Sequence, residues 1–486
     1  MLYNKELKEV NIQHILNDRK KVILFGASKG NRHIQDLLKT VEISHVFDND
    51  SGLWGQMLYG VRIEEPKYVE NAVVLTAVLR YEEVLKQLEA LGIYDMYFYL
   101  NDEIYRKRLA ISKYFTVEDF KFTADGSEKY IHIIPDQKFV LPLFHILQTY
   151  FNPYEHLVLI HNLEGKNPNN LYGSWEKYKE WKEKYHNVYI VDDYVNTYLY
   201  NWTEKLHELD EIILKCNKII FHGEWLCDVI DGFFSFHRKA LLEKAVWIPW
   251  SATFGKDEIN MAHMNKVLKY VRGIAVYGDQ IDYIKKHLYM YSYEIIDTSL
   301  SYVQEIERPP VIKKKTNVLV SHSCYSYDHV LEALYDLEHF NGMIEVYCIT
   351  SYGHEQTIAE AKQTGSSIYG DHFHPVDQFM KYSDYVQFLS EMDVAYFAEE
   401  IAAGYNTTML MFWLGVKVYF KEHSQPYETY RNDGFYVHDY YAAKQQSIHE
   451  FFNNDYEEEN CELGKLRCAG DEQKKNWKKV LEYDWS

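Results

Sequence analysis

The sequence predicts an α/β protein made of three Rossmann-like domains, the first small and the other two larger. Three observations carry this. Short apolar runs bounded by turn residues alternate with helix-period stretches along most of the chain, which is the signature of βαβ units and parallel sheets. The alternation breaks twice. One break is a charged stretch at 101–129. The other is Arg308-Pro-Pro310 to Thr316, where two prolines and the run Lys313-Lys-Lys315 suit neither a helix interior nor a central strand. Finally, 486 residues exceed one ordinary domain, and a prior of about one domain per 150 residues gives about three. The expected domains are 1–112, 130–308 and 316–486, the last with a C-terminal tail helix.

The composition narrows the function class. Hydrophobic residues make up 47% and aromatic residues 16%, enough for large cores. The 44 tyrosines suit sugar sites and ordinary packing equally. A formal net charge of −20 argues against nucleic acid as a partner and against whole-molecule attraction to anionic lipid, leaving only local peripheral membrane contact. Cys216, Cys227, Cys324, Cys348, Cys461 and Cys468 form no CxxC pair, so neither a disulfide framework nor a zinc site is expected. The opening Met1-Leu-Tyr-Asn-Lys-Glu lacks the basic start and apolar core of a signal peptide. No apolar run reaches the ~18 residues that span a bilayer. The expected location is cytoplasmic, extending to the inner face of the membrane.

In the first domain, residues 5–18 read as a short helix and Lys21–Phe25 as a buried strand. Gly26-Ala-Ser-Lys-Gly30 follows, then a helix through Ile34, Leu37 and Leu38, then a strand, Ser44–Phe47, ending at Asp48-Asn-Asp50. Bare backbone near a phosphate, a helix N-terminus facing it and an acid near a ribose hydroxyl are the parts of a nucleotide site. Asp48 lies 22 positions after Gly26, close to the ~20 of the dinucleotide fingerprint. Gly26, Ser28, Gly30 and Asp48 are therefore the candidate contacts to NAD or another nucleotide. Ser28 stands where the fingerprint has its middle glycine and no third glycine follows, so a purely structural module fits these residues equally. Further strands are expected at Ala72–Thr76 and Met96–Tyr99.

The middle domain opens with a strand at Tyr130–Ile134, followed by Pro135-Asp-Gln-Lys-Phe139. Strands recur at His156–His161, Asn187–Val191, Lys218–Phe221, Ala245–Ile248 and Gly273–Tyr277. At Ile219-Ile-Phe-His-Gly-Glu-Trp225 a strand ends on His222, Gly223 and Glu224. Histidine and glutamate together can act as base and orienter, with Asp136 a third candidate base. A capping histidine at a strand end is the rival reading of His222. Val246-Trp-Ile-Pro-Trp250 reads as core or as an apolar wall, and Asp279 as a helix N-cap.

The third domain alternates Asn317–Ser321, a polar turn to Asp328, a helix through Leu331, Leu334 and Leu337, a strand at Ile344–Ile349, Ser351-Tyr-Gly353, Met392–Phe397, an apolar helix at Thr407–Leu414 stopped by Gly415, and Val416–Phe420. Ligands of open α/β sheets sit beyond the carboxyl ends of the strands. Those ends, Ser321–Asp328, Ser351–Gly353 and Glu399–Thr408, read as one pocket. A diphosphate needs helix N-termini and hydroxyl or amide donors. The candidates are Ser321, Ser323, His329, Ser351, Tyr352, Gly353, Asn406 and Thr407, although each also suits a turn or cap. No Asp-x-Asp at a strand end of this domain demands a metal, Asp48-Asn-Asp50 having the pattern but lying in the first domain, and no metal is expected.

Two resemblances add to this. Phe25-Gly-Ala-Ser-Lys-Gly30, Phe47-Asp-Asn-Asp50, Trp54-Gly55 and Val61 before Pro66 resemble the small Rossmann-like modules fused to many polysaccharide-biosynthesis proteins. From about Tyr130 onward the chain resembles the TDP-N-acetylfucosamine:lipid II N-acetylfucosaminyltransferases of enterobacterial common antigen synthesis. The residues that carry this are Leu319-Val-Ser-His-Ser323, His329 with Leu331-Glu-Ala-Leu334, Ser351-Tyr-Gly353, Asp393 with Tyr396-Phe397, Gly404-Tyr-Asn406 and Leu414-Gly-Val-Lys-Val418.

The second resemblance implies a GT-B arrangement, with an acceptor domain at 130–308, a donor domain at 316–486 and a final helix crossing back to the first of the two sheets. It also implies a metal-independent, bacterial glycosyltransferase of the hexosyltransferase type, acting in cell-surface polysaccharide synthesis. The sugar, of N-acetylated deoxyhexose type, would pass from a nucleotide-diphosphate donor to a lipid-linked or glycan acceptor, with no cofactor required. One departure stands out. The family's Arg-Gln-Gln segment is replaced by Glu399-Glu-Ile-Ala-Ala403. An arginine there pairs with diphosphate, whereas Glu399 and Glu400 repel it or accept hydrogen bonds from sugar hydroxyls. Two rival functions remain: a non-catalytic nucleotide-sugar-binding partner of a glycan assembly complex, and an NAD-dependent sugar-nucleotide-modifying enzyme.

Overall fold

The computed structural model describes residues 2–4, 9–11, 20–27, 41–76, 81–99, 127–161, 175–191, 209–223, 237–250, 267–288, 292–309, 314–401 and 404–485. The chain divides into two compact units. One is Met1–Phe122 with the stretches Asn162–Asn170 and Ile190–Leu209, and the other holds the remainder.

The first unit carries an eight-stranded sheet. Its strands are β1 (Leu2–Tyr3), β2 (Glu9–Val10), β3 (Lys21–Phe25), β4 (Ile43–Phe47), β5 (Met57–Leu58), β6 (Val61–Glu64), β7 (Ala72–Thr76) and β8 (Met96–Tyr99), in the order β2-β1-β8-β7-β3-β4-β6-β5. The five strands from β8 to β6 run parallel. The helix expected at 5–18 gives way at Glu9–Val10, which pair with Leu2–Tyr3 as a small antiparallel edge. Ile23, Leu24, Val74 and Leu75 have no exposed surface, as strands covered on both faces require.

The second unit holds nearly all of two further sheets, built mainly of parallel strands. The middle sheet comprises β9 (Tyr130–Pro135), β10 (His156–His161), β11 (Val188–Val191), β12 (Lys218–His222), β13 (Ala245–Ile248), β14 (Gly273–Val276) and β15 (Glu294–Asp297), in the order β11-β10-β9-β12-β13-β14-β15. The last comprises β16 (Asn317–Leu319), β17 (Glu345–Ile349), β18 (Phe373–Val376), β19 (Val394–Tyr396), β20 (Lys417–Phe420) and β21 (His438–Asp439), in the order β18-β17-β16-β19-β20-β21. Both orders reverse after the first strand. The crevices of a doubly wound sheet therefore open between β9 and β12 and between β16 and β19. Two such doubly wound sheets follow one another in the chain.

The apolar helix runs from Tyr405 to Trp413, nearly all of it buried, and Gly415 ends it with φ +74°. The acidic run after Asp455 begins a helix, Glu457–Cys468, whose Glu457 pairs with Arg308 at 2.6 Å. The final helix, Gly470–Leu481, packs against the middle sheet. Trp477, fully buried, lies 6.1 Å from the His222 ring, and the Gly470 amide donates to the Tyr150 hydroxyl. Beyond it the Trp485 ring covers Gly273 so closely that a β-carbon there would come within 2.5 Å. Lys218 Nζ also faces that ring, 4.4 Å from its centroid. Among the described residues no helix is long and apolar enough to cross a membrane.

Candidate functional site

In the first unit Gly26 adopts φ +95°, which only glycine takes readily, and the chain turns there off β3. Asp48 serves this turn. Its carboxylate accepts from the Ala27 amide at 2.6 Å and from the Asp50 amide at 2.8 Å. The acid expected near a ribose hydroxyl is thus already occupied by backbone. Ser28 and Gly30 lie outside the described residues.

In the second unit the loop after β9 is fixed by Asp136. This residue is 2% exposed and accepts from Trp175 Nε1 at 2.8 Å and from the Tyr178 hydroxyl at 2.7 Å, one bond to each carboxylate oxygen. A carboxylate held this way orients its loop rather than waiting for a substrate proton. The same loop places Phe139 against Trp250 and Tyr302, at 4.5 and 5.1 Å between ring centroids. Gly223 turns with φ +67°, and the Trp250 ring fills the space a side chain would need. Close approach explains Gly223, and the approaching group is Trp250. Trp247 is core, and Gly278 rather than Asp279 occupies the N-cap of the Asp279–His287 helix.

His222, the last residue of β12, belongs to a buried chain of imidazoles. Its Nε2 lies 3.0 Å from His132 Nδ1, and His132 Nε2 lies 3.0 Å from His156 Nδ1. On the other side His222 Nδ1 meets the Tyr302 hydroxyl at 2.6 Å. These diagonal neighbours share one face of β10, β9 and β12 and cross it from the amino to the carboxyl edge. Burial pushes His222 down to about 3 and His156 to about 4, holds His132 well below its ordinary range, and raises the Tyr302 phenol. All three imidazoles are therefore neutral at pH 7. Each can donate from one nitrogen and accept at the other, which is what a hydrogen-bonded chain demands. Glu224 lies outside the described residues.

The pocket after β16, β17 and β19 is built by backbone approach and by one buried cluster of ionisable side chains. Cys324 bridges Gly353, whose φ of +140° and missing β-carbon let the two chains touch. The Tyr352 hydroxyl donates to the His322 carbonyl at 2.6 Å. Ser321 bonds within its own turn, Ser323 Oγ donates to Asp328 Oδ2 at 2.6 Å, and Thr407 Oγ1 pairs with the Tyr385 hydroxyl at 2.8 Å. Asn406 Oδ1 accepts from the Tyr302 amide at 3.3 Å. His329 is exposed, in the left-handed conformation, at the head of the Val330–Asp336 helix, and Ser351 is half-buried at the end of β17. Most of the hydroxyls expected to meet diphosphate thus serve to shape the pocket.

Of the buried cluster at the centre of this pocket, only Glu399 was expected from the sequence. His322, Asp328 and Glu399 are all buried. His322 Nδ1 faces Glu399 at 3.2 Å and its Nε2 faces Asp328 at 3.7 Å. Their ligand-type atoms lie within 4.8 Å of one another. The donor set does not suit a single metal ion, because the two carboxylates address opposite nitrogens of one ring, whereas an ion takes one nitrogen. Two acidic side chains thus flank one imidazole in this cluster. Gly404 (φ +64°) lets the His322 ring pass where a β-carbon would lie within 2.5 Å. Glu400 is exposed, with Lys421 at 3.4 Å.

Lys138, also missed, comes from the loop after β9 and reaches the last sheet's strand ends. Its Nζ sits 4.8 Å from the Tyr352 ring centroid. It remains solvent-exposed at this rim although protein surrounds it, and that crowding pushes the ammonium down to about 8 against the opposing pull of Asp328. The signal for His132 and His156 was present, since one interrupts and the other opens an otherwise apolar strand. Lys138 carried no such signal, because its neighbours across the pocket are remote in sequence.

No family model matches the chain, and no curated protein matches its sequence. Solved structures do. The chain is similar to the N-terminal domain of Candida albicans trehalose-6-phosphate phosphatase, at 11% identity over 73% of this chain and 93% of that one, with a TM-score of 0.45. It is similar to WaaG, a glycosyltransferase involved in lipopolysaccharide biosynthesis, at 12% identity over 72% and 98% of the two chains, TM-score 0.45. It is also similar to Anabaena HepE in complex with UDP and glucose, at 8% identity over 73% and 96%, TM-score 0.45.

Proposed function

We propose that the protein is a glycosyltransferase that moves a sugar from a nucleotide-diphosphate donor to a lipid-linked or glycan acceptor in cell-surface polysaccharide synthesis. The observation that carries this reading is the convergence of strand ends from two doubly wound sheets. The loop after β9 meets the loops after β16 and β17 at Lys138 and Tyr352, and the segment after β15 meets the pocket helix at Tyr302 and Asn406. Crevices at such switch points bind nucleotides. In this reading the last sheet holds the donor, with pocket backbone amides and the N-terminus of the Tyr405–Trp413 helix at the diphosphate. The middle sheet holds the acceptor. The donor sugar is of the N-acetylated deoxyhexose type that the resemblance implies.

The acceptor hydroxyl must lose its proton as it attacks the anomeric carbon and the nucleotide diphosphate departs. Asp136 and His222 are both committed to internal hydrogen bonds. We therefore assign the base to Glu224, with Asp136 and His222 as positioning residues for the loops on either side of the crevice. Glu224→Gln is expected to lower the turnover number at least about a hundredfold while leaving donor affinity within about twofold of wild type. Release of free nucleotide diphosphate, with binding measured separately, checks this. Unchanged turnover in the variant excludes Glu224 as the base.

The engaged state of Asp136 and His222 also favours a second reading, a nucleotide-sugar-binding partner without catalysis. Tight donor binding with no product from any acceptor fraction, in wild type as in the variant, would establish it.

A further inference from the structure

The pocket poses a charge problem. A nucleoside diphosphate brings negative charge to strand ends that already hold Asp328 and Glu399 around one imidazole, with Glu400 at the surface beside them. The buried carboxylates are not idle, since Asp328 ties Ser323 Oγ and the Tyr325 amide into the turn after β16. The nearby Lys421 does not solve the problem. Its Nζ is 2.7 Å from Glu332 and 3.4 Å from Glu400. The segment where the resembled family places its arginine offers two glutamates instead.

Across the crevice stands Lys138. Two anchors direct it. Asp136, pinned by Trp175 and Tyr178, fixes the loop two residues before it. Phe139, wedged between Trp250 and Tyr302, fixes the residue after it. The ammonium between these anchors lies over the Tyr352 ring, and Tyr352 in turn is bonded to His322. Lys138 is thus a solvent-reachable cation presented by the middle sheet to the phosphate end of the other sheet's pocket.

We propose that Lys138 binds the diphosphate of the nucleotide donor, supplying from the acceptor side the positive charge that Glu399 and Glu400 remove from the donor side. This rests on the glycosyltransferase reading and adds to it a specific consequence: donor diphosphate recognition requires both sheets. On binding, the ammonium leaves the Tyr352 ring for a phosphate oxygen, a charge-assisted contact stronger than the one it replaces. As the diphosphate gathers charge on departure, the same lysine stabilises it.

The test is titration of full-length wild type, Lys138→Met and Lys138→Arg with UDP, GDP and TDP, each paired with its monophosphate. For whichever base binds, wild type should prefer the diphosphate. Lys138→Met should weaken diphosphate binding about ten- to a hundredfold and leave the monophosphate nearly unchanged, so that the preference collapses. Lys138→Arg should restore most of it. A merely structural role for Lys138 would weaken both nucleotides alike. If Lys138→Met keeps the full diphosphate preference, the inference is overturned and the glycosyltransferase reading stands. If wild type binds none of the three diphosphates, both fall. Circular dichroism of the methionine variant, expected to match wild type, separates loss of binding from loss of fold.

Discussion

Acidification from pH 7 to pH 5 is expected to remove about 4 kcal/mol of stability through His156 and His222 alone, with the buried His132 acting in the same sense. The native state holds these imidazoles neutral, with His222 at about 3 and His156 at about 4, while an unfolded histidine titrates near 6.5. Below pH 6.5 the unfolded chain therefore binds protons that the folded chain refuses. Stability falls as pH falls, and keeps falling until the native values are reached. At pH 5 His156 and His222 each contribute about 2 kcal/mol to this loss, from 1.36 kcal/mol per pH unit over about 1.5 units. His161 and His438, both pushed to about 3 by burial, act in the same sense. Asp433, raised to about 6, opposes them by about 1 kcal/mol. Urea unfolding followed by tryptophan fluorescence is a suitable probe, because Trp477 lies beside His222. The midpoint should drop steeply between pH 6.5 and pH 5, and His132→Gln should flatten that slope. A midpoint that holds level down to pH 5 would rule out a neutral imidazole chain.

Gly353→Ala is the second large effect, about 3 to 5 kcal/mol of destabilisation. At φ +140° an alanine is strained before any contact is considered, and its β-carbon would stand 2.3 Å from the Cys324 carbonyl oxygen. That atom belongs to backbone and also accepts from the His354 amide, so it cannot swing aside as a side chain end would. The bridge between Cys324 and Gly353 must open, and with it the turn that carries Ser323 and Asp328. Gly370→Ala is the matched comparison. Gly370 also has positive φ, +57°, but open space where a β-carbon would go, and its substitution should cost only about 1 kcal/mol. Equal thermal midpoints for the two variants would show that the Cys324 contact yields freely.

The strands were the most legible part of the sequence. Lys21–Phe25, Ala72–Thr76, Met96–Tyr99, His156–His161 and Ala245–Ile248 stand where their apolar runs placed them, because a strand covered on both faces must be apolar almost throughout. Glu294–Asp297 and His438–Asp439, at the edges of their sheets, escaped notice because an edge strand needs less apolar sequence. Glu9–Val10 was misjudged as helix because two residues are too few to show a period. The pocket was legible as a place and not as a mechanism. Strand ends locate a crevice, but whether Ser323 faces a ligand or Asp328 depends on five residues of turn geometry that no spacing rule encodes. The pairing of Lys138 with Tyr352 depends on how two sheets meet, which no local pattern encodes.

The Gly470–Leu481 helix and Trp485, packed on the middle sheet, bear on how this architecture could be recombined. A chimaera that exchanged the last domain at the Pro309 segment would import a foreign helix against His222, Tyr302 and Gly273, and would lose Trp477 and Trp485 from the surface they cover. The natural unit of exchange is therefore discontinuous. The last helix should be inherited with the middle sheet and not with the sheet that precedes it in the chain. New ligand specificities at the proposed pocket are then expected to arise by substitution in the loops after β16, β17 and β19 rather than by transplanting a whole domain.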